Sequence, residues 1–314
     1  MTLTPVVVLG DLMTDVATRL ARPVAVGSDT PASIRLHGGG AGANTAAWLA
    51  ALGQPVSFIG RVGDDAPGAA ASAELRAAGV RTLLSVDPQA PTGTCVVLVD
   101  AAGERSMLPD PGANATLAPE HLPRRVFEPG GHFHLSGYAL LTEGSRAAAL
   151  AALELARSAG MSVSIDPASV APLRAVGAER ALGWFRAADV LLPNDEELKL
   201  LANIRTDQPG TPRSAAQLRQ SRLPVARALA RRLDTLVVAT LGAAGAVAAG
   251  PGGQGGADTD PAPTSLVDTT GCGDAFAAGF LHVWLGAPSS LEAALARGVE
   301  QAARCATQVG ARPR

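Results

Sequence analysis

VDTTGCGDAFAAGF, residues 267–280, is the stretch from which the rest of the chain is read. Its only charges are Asp268 and Asp274, and Thr269, Thr270, Gly271, Cys272 and Gly273 lie between them. After Asp274 come Ala275, Phe276, Ala277, Ala278, Phe280 and Leu281, small and apolar at the spacing of a packed helix. Asp274 is therefore expected in the first turn of a buried helix, behind a glycine-bearing turn. The amides of Gly271, Cys272 and Gly273 would then face one concavity, where the helix dipole favours an anion. A carboxylate there repels the anion that the amides attract. The pairing makes chemical sense when the carboxylate takes a proton beside a phosphate. The local alternative is an aspartate that merely caps a core helix.

Working outward, Val6–Leu9 reads as a buried strand closed by Gly10, with Asp11 and Asp15 beyond its carboxyl end. Ligands of open α/β sheets bind at that end, although a polar loop reads equally well. Residues 16–37, with Pro23 and Pro31, lack a helical period and read as a small β excursion. In HGGGAGANTAAWLAALG, residues 37–53, the glycines bring backbone close to something. A small-residue helix from Ala43 to Leu52 follows and Gly53 ends it. Asn44 is either a cap or a ligand contact. A strand is expected over 54–60, a turn over 61–68 and a helix over 69–78. Thr94–Val99 and Glu104–Leu108 read as a hairpin around residues 100–103. This hairpin and residues 16–37 break the βα alternation, and together they read as a separate small sheet covering a site.

From residue 131 the alternation is regular. Strands are expected over 132–135, 161–165, 189–192 and 235–239. Helices are expected over 143–158, 178–187, 195–202, 215–232 with a break at Pro224, and 289–307. Residues 203–214 and 250–264 read as loops. The pattern predicts a mostly parallel sheet with helices on both faces.

Composition narrows the function. The chain has 314 residues, 47% hydrophobic and 17% charged, enough for one large α/β domain or two smaller ones. A net charge of -2 gives no electrostatic footprint for nucleic acid or an acidic membrane. Lys199 is the single lysine and follows Leu198, so there is no Walker A loop. Cys95, Cys272 and Cys305 form no CxxC, which points to a reducing cytoplasm rather than a disulfide framework or zinc site. There is neither a basic leader nor an apolar run of roughly 18 residues, so no signal peptide or membrane span is expected.

Several motifs carry two readings each. Gly250–Gly255 matches GxGxxG but opens onto Asp258 and prolines, so it reads as a loop. Gly38-x-Gly40-x-x-Ala43 opens a helix but follows mixed polar residues, which leaves a nicotinamide-dependent oxidoreductase as a minor alternative. His132 and His134 share one strand face without an evident third ligand and read as structural. Cys272 reads as a small side chain in a tight turn. Asn194 and Glu197 suit Mg²⁺ by their oxygens, or form a capping box by their spacing. Thr240, Gly242 and Gly245 follow a strand and either line a nucleotide or make an ordinary turn.

Taken together, these residues lie on the ligand edge of one sheet, and the chain resembles the ribokinase-like or PfkB carbohydrate kinases over nearly its whole length. Gly40-Ala-Gly42-Ala-Asn44-Thr-Ala46, with Gly53 and Gly63, is similar to the family's N-terminal signature. Asp268-Thr-Thr-Gly-Cys-Gly-Asp274-Ala-Phe is similar to its C-terminal one. The resemblance implies one domain over residues 1–314. It would be a ribokinase-like three-layer α/β sandwich with a mostly parallel central sheet and a small β lid from about 12–37 and 92–110. It implies ATP-dependent phosphorylation of an alcohol, with Asp274 as base and the amides of Gly271, Cys272 and Gly273 holding the phosphoryl charge. Asp11, Asp15, Gly39, Gly40 and Asn44 would bind the sugar. Asn194, Thr240, Gly242, Gly245 and Gly273 would meet the nucleotide, and Asn194 and Glu197 would hold Mg²⁺ through water. Asp268, Thr270 and Gly310 fall where some members bind a monovalent cation such as K⁺. The resemblance also implies a homodimer through the lid. The chain departs from the family at Cys272, where a smaller residue is usual, and at Ala41, where ribokinases carry a lysine. It also ends soon after Gly310. Gly112-Ala-Asn114-Ala resembles a ribokinase-type segment and favours a neutral sugar. The single lysine weighs against a phosphorylated sugar, with Arg35 as a substitute cation. An aromatic content of 3% weighs against a nucleobase, and a nucleoside stays the alternative substrate.

Overall fold

A computed structural model describes residues 3–100, 105–204, 214–251, 257–260 and 265–314. Val6–Leu9 (β1) is buried along its whole length, as a strand covered on both faces must be. Its side chains alternate between two cores. Val7 and Leu9 join Phe133 and Leu135 on one face. Val6 and Val8 join Trp48, Phe58, Phe276 and Phe280 on the other.

The small sheet is built from Met13–Leu20 (β2), Ala32–Gly39 (β3), and two later strands. Ala41–Ala51 (α1) then leads to Val56–Gly63 (β4), Ala66–Ala77 (α2) and Arg81–Asp87 (β5). Gly93–Val99 (β6) and Arg105–Asp110 (β7) complete the small sheet, whose order is β3-β2-β6-β7. The chain returns to the main sheet with His132–Ser136 (β8), Tyr138–Leu141 (α3), Arg146–Ser158 (α4) and Ser162–Asp166 (β9). Val170–Val176 (α5), Ala178–Phe185 (α6), Val190–Leu191 (β10), Asp195–Leu201 (α7) and Ala215–Leu233 (α8) follow. The last elements are Leu236–Thr240 (β11), Ala246–Ala249 (β12), Ala257–Thr259 (β13), Cys272–Trp284 (α9) and Leu291–Ala306 (α10).

The main sheet has the order β13-β12-β11-β10-β9-β8-β1-β4-β5. It is parallel from β5 to β11, and β12 and β13 add an antiparallel edge. The carboxyl ends of β1, β9, β10 and β11 therefore open on one side, and that is where the acidic residues gather. No described helix is long and apolar enough to cross a membrane.

Several features differ from the sequence reading, among them α3, α5 and β12, which no expectation covered. The excursion at 16–37 is a regular antiparallel pair with Asp15 opposite His37. No expectation covered β5, an edge strand whose side chains are mostly half-exposed and carry little pattern. Pro224 does not interrupt α8, because Arg219 and Arg222 before it and Ala226 and Leu229 after it are all buried. Tertiary burial there outweighs the local penalty. The loop expected over 250–264 contains β13, while residues 252–256 of its GxGxxG motif lie outside the described residues, as do 101–104 of the hairpin turn and 205–213 of the other loop.

Candidate active site

The N-terminus of α9 is capped by Gly271 in the left-handed region, φ 78°. A side chain there would be strained, and a Cβ would come within 2.6–2.7 Å of Ala311. Asp274 sits in the first turn but is not the cap. Its Oδ2 accepts instead from Asn44 Nδ2 at 2.9 Å. Burial pushes the Asp274 carboxyl well above the carboxylate range, and the negative Asp166 and Asp11 push it further. The Asn44 hydrogen bond opposes this. Of the three amides expected to form the anion cradle, that of Cys272 turns back to Thr269 O at 3.3 Å. Gly273 is exposed on the wall of a cavity. The Cys272 amide thus serves the turn.

Gly40 opens α1 with φ 93°, and a Cβ there would lie 2.4 Å from Asp11 O. This approach brings the Asp11 carboxylate onto the helix N-terminus. Its Oδ2 accepts from Ala41 N at 3.1 Å; Oδ1 accepts from Gly42 N at 3.3 Å and Ser136 Oγ at 3.1 Å. Burial raises its pKa against these bonds. Asp11 therefore serves α1 first, although it also lines the larger cavity. Asn44 proves to be neither a cap nor a bare ligand contact. It is buried and ties Asp274 to Arg312, whose Nε lies 3.3 Å from Asn44 Oδ1.

Arg312 went unnoticed in the sequence. Its Nη2 donates to Gly39 O at 2.9 Å, and Nη1 lies 2.9 Å from Glu74 Oε1 without hydrogen-bond alignment. A Cβ on Gly38 would collide with this guanidinium, and one on Gly39 with the Asp15 carboxylate. The glycine run is thus explained by an arginine and an aspartate of this chain. It also follows β3 of the small sheet rather than a central strand, so the dinucleotide-fingerprint reading of Gly38-x-Gly40-x-x-Ala43 lacks its required context. Asp15 is buried, and burial pushes its carboxyl up to about 6, with Arg312 opposing and Asp11 and Asp268 adding.

A second group of acids lies at the ends of β9 and β10. Asn194 caps α7, and its carbonyl accepts from Glu197 N at 2.9 Å. The Glu197 oxygens accept from Asn194 N at 2.9 Å and Nδ2 at 2.8 Å. The capping box is therefore real. The same two residues, with Asp166, Thr240, Gly273 and Asp274, also line a cavity of about 110 Å³. Asp166, read only as a strand end, belongs to the site. Its carboxyl is pushed up to about 6 by burial. Thr240 bridges to Asn194 and lines this cavity; Gly242 and Gly245 do not. Gly245 is required where Thr259 O would meet a Cβ at 2.0 Å. These oxygen donors suit Mg²⁺, whose charge would favour the ionised form of carboxyls that burial holds towards the protonated form. Among the described residues no three acidic, His or Cys side chains converge tightly enough to hold a metal directly, so the fit is through water.

The monovalent-cation reading fares differently. Asp268 Oδ1 accepts from Thr270 N at 2.7 Å and lies 2.9 Å from Arg105 Nη2; Oδ2 accepts from Gly310 N at 3.1 Å. Arg105, on β7, also donates to Thr269 Oγ1. The Asp268 charge is already balanced by a guanidinium, and these residues do not fit a K⁺ site. His132 and His134 are structural, as expected. They share Ser164 at 2.8 Å, and burial lowers their pKa values to about 3 and about 4.

Glu197 makes a pH prediction. Burial first and Asp166 second push its carboxyl up to about 8, against the Asn194 bonds. The folded protein then keeps a proton that the unfolded chain has lost above its ordinary pKa of about 4.5. Stability must therefore fall as pH rises towards 8. The buried histidines act in the opposite sense, but only below about pH 6.5. Between pH 6.5 and 8 the melting temperature is expected to drop by about 2–4 °C per pH unit. Glu197→Gln, which keeps the capping box, should flatten the slope. A melting temperature that rises over this window would contradict the assignment.

The larger cavity, about 600 Å³, lies between the small sheet and the carboxyl ends of the main sheet. Asp11, Asp15, Gly40 and Asn44 line it, together with Thr270, Gly271 and Asp274. Asp274, Ala41 and Ala168 line both cavities. The carboxylate expected to act as base thus stands between two chambers, one ringed by acids and the glycine turn, the other by the small sheet.

This geometry has relatives. The model of the pfkB family carbohydrate kinases matches residues 3–314. An ATP-dependent ribose-1-phosphate kinase from Halopiger xanaduensis is 34% identical over 281 residues, covering 88% of this chain and 83% of its own. A fructokinase from Klebsiella pneumoniae is 36% identical over 250 residues, covering 77% and 75%. The crystal structure of adenosine kinase from Sinorhizobium meliloti superposes with a TM-score of 0.84 at 24% identity, covering 99% and 96%. The fold is ribokinase-like, and the chain belongs to the pfkB family of carbohydrate kinases.

Proposed function

We propose that this kinase transfers the γ-phosphoryl group of ATP to a hydroxyl of a small sugar-like alcohol held in the larger cavity, with Asp274 as the base. The observation that carries this reading is the position of Asp274 on the wall of both cavities. The alcohol is held by Asp15 and Asn44, with Asp11 beside them. The nucleotide enters on the side of Thr240 and Gly273, near Gly242 and Gly245. As the alcohol oxygen bonds to phosphorus, the bond from phosphorus to the β-bridging oxygen breaks and ADP departs. The hydroxyl proton passes to Asp274 Oδ1, the oxygen that Asn44 leaves free for it. A raised carboxyl pKa suits this role, because the group accepts a proton readily near neutral pH. The amides of Gly271 and Gly273 face the phosphoryl oxygens. Mg²⁺, held through water by Asp166, Asn194 and Glu197, would neutralise phosphate charge. ADP release measured with ATP and Mg²⁺ against a panel of sugars and nucleosides tests the reading. Release that no acceptor stimulates would sink it.

The small sheet supports dimerisation. Strand register puts Val16, Ile34, Leu36, Val96, Leu98 and Leu108 on one face. Ile34 is 62% exposed, Leu36 68% and Leu108 54%. This face points away from Asp15 and is apolar, as a lid-to-lid contact between two copies requires. Sedimentation should give a dimer for the native chain and a monomer for Leu36→Glu. A monomeric native protein at micromolar concentration would contradict this.

A further inference from the structure

We propose that the natural acceptor is a neutral nucleoside, a glycoside carrying a flat heteroaromatic group, rather than a free or phosphorylated sugar. This rests on the kinase reading above and concerns the larger cavity alone. At about 600 Å³ the cavity lies in the range, roughly 300–1,000 Å³, that buries most of a drug-sized ligand. Its acids, Asp11, Asp15 and Asp274, gather around Asn44, where a polyhydroxyl ring would sit.

Beyond that end much of the lining is apolar. Met13, Met107 and Pro109 project from the same face of the small sheet as Asp15, and Leu117, Ala171 and Pro172 line the same space. Met107 is 54% exposed and faces this cavity rather than the outer apolar face. Thioethers are polarisable and make favourable contacts with aromatic rings. The low aromatic content weighed against a nucleobase in the sequence. Methionine and proline make up much of the shelf, and Tyr138 lines the same cavity.

Three of the polar side chains at this end, Asn114, Ser145 and Arg61, are already engaged. Asn114 Oδ1 accepts from Leu12 N at 2.9 Å, and its Nδ2 donates to Leu12 O and Pro111 O. Ser145 Oγ donates to Ala139 O at 3.0 Å. Arg61, the one cation lining the cavity among the described residues, pairs with Asp87 Oδ2 at 3.2 Å through Nε and Nη2. Its Nε also meets Thr116, and its Nη1 meets Ser85 and His121. Four of its five guanidinium hydrogens are thus taken up within the protein, and three carboxyl groups in the same cavity oppose a second anion. A phosphorylated sugar is therefore disfavoured by charge, and a free sugar leaves the apolar shelf uncovered.

Calorimetric titration without nucleotide tests this, using uridine, adenosine, ribose, fructose and ribose 1-phosphate as probes. At least one nucleoside should bind on the order of 100-fold more tightly than ribose, as burial of one face of a base predicts. Ribose 1-phosphate should bind no more tightly than ribose. Met107→Asp should weaken the nucleoside at least 10-fold and ribose less than 2-fold. Ribose, fructose or ribose 1-phosphate binding as tightly as either nucleoside, or no nucleoside binding, overturns the inference. Binding needs no phosphoryl transfer, so the two readings fail separately. Nucleoside binding without acceptor-dependent ADP release sinks the kinase reading, and ADP release with free sugars only sinks this one.

Discussion

Asp274→Asn is expected to slow turnover by between about 10² and 10⁴-fold while leaving ATP binding within a factor of about two. Asparagine has the same shape, and its side-chain oxygen can still accept from Asn44 Nδ2, the contact that orients Asp274. The fold should therefore survive, since α9 is capped by Gly271 and not by this residue. What is lost is the ability to take a proton. The pH profile supplies a second readout. Burial and the neighbouring Asp166 and Asp11 raise the Asp274 pKa, so native activity should climb with pH as the carboxyl ionises, on a limb above the ordinary carboxylate range. That limb should vanish in the variant. Full activity in Asp274→Asn, or an unchanged profile, would end the assignment of the base.

The second large effect is expected at Arg312. Arg312→Ala should cost about 2–4 kcal/mol of stability and lower substrate affinity by at least 10-fold. The guanidinium is buried, and its loss leaves Gly39 O and Asn44 Oδ1 without a donor. Glu74 is half-exposed, so its share is discounted for solvent screening. Asn44 then loses one of its two anchors, and Asp15 loses the cation that holds its carboxyl down. Arg312→Lys should recover little, since one ammonium cannot span Gly39, Asn44 and Glu74 as a planar fork does. Chemical denaturation and titration with substrate check both effects. A variant within 1 kcal/mol of native stability and with unchanged affinity would show that the arginine is incidental.

These two residues show what the sequence could reveal. Asp274 was legible because its signal is local: a glycine turn, an acid and a run of small apolar residues. Asn44 was legible as important for the same reason, but its alternatives stayed open because its partner lies elsewhere in the chain. Arg312 carries no local signal; its partners Asn44 and Gly39 are 268 and 273 residues away. The pair Asn194 and Glu197 had two readings; the capping box is formed, and the same pair faces a cavity, so the first reading does not displace the second. The main sheet followed from regular alternation. Its edge strand β5 did not, because a half-covered strand lacks a decisive hydrophobic period. The cation reading at Asp268 failed because the balancing charge, Arg105, arrives from the small sheet.

The hydrogen bond between Asn44 and Asp274 joins residues 230 positions apart. Such a contact is expected to close late, once the strands that position its partners have paired. Recovery of catalysis should therefore track the slowest refolding phase, well behind the return of helical circular dichroism. Turnover in this protein doubles as a stringent gauge of completed assembly, and no fragment lacking either partner should show any.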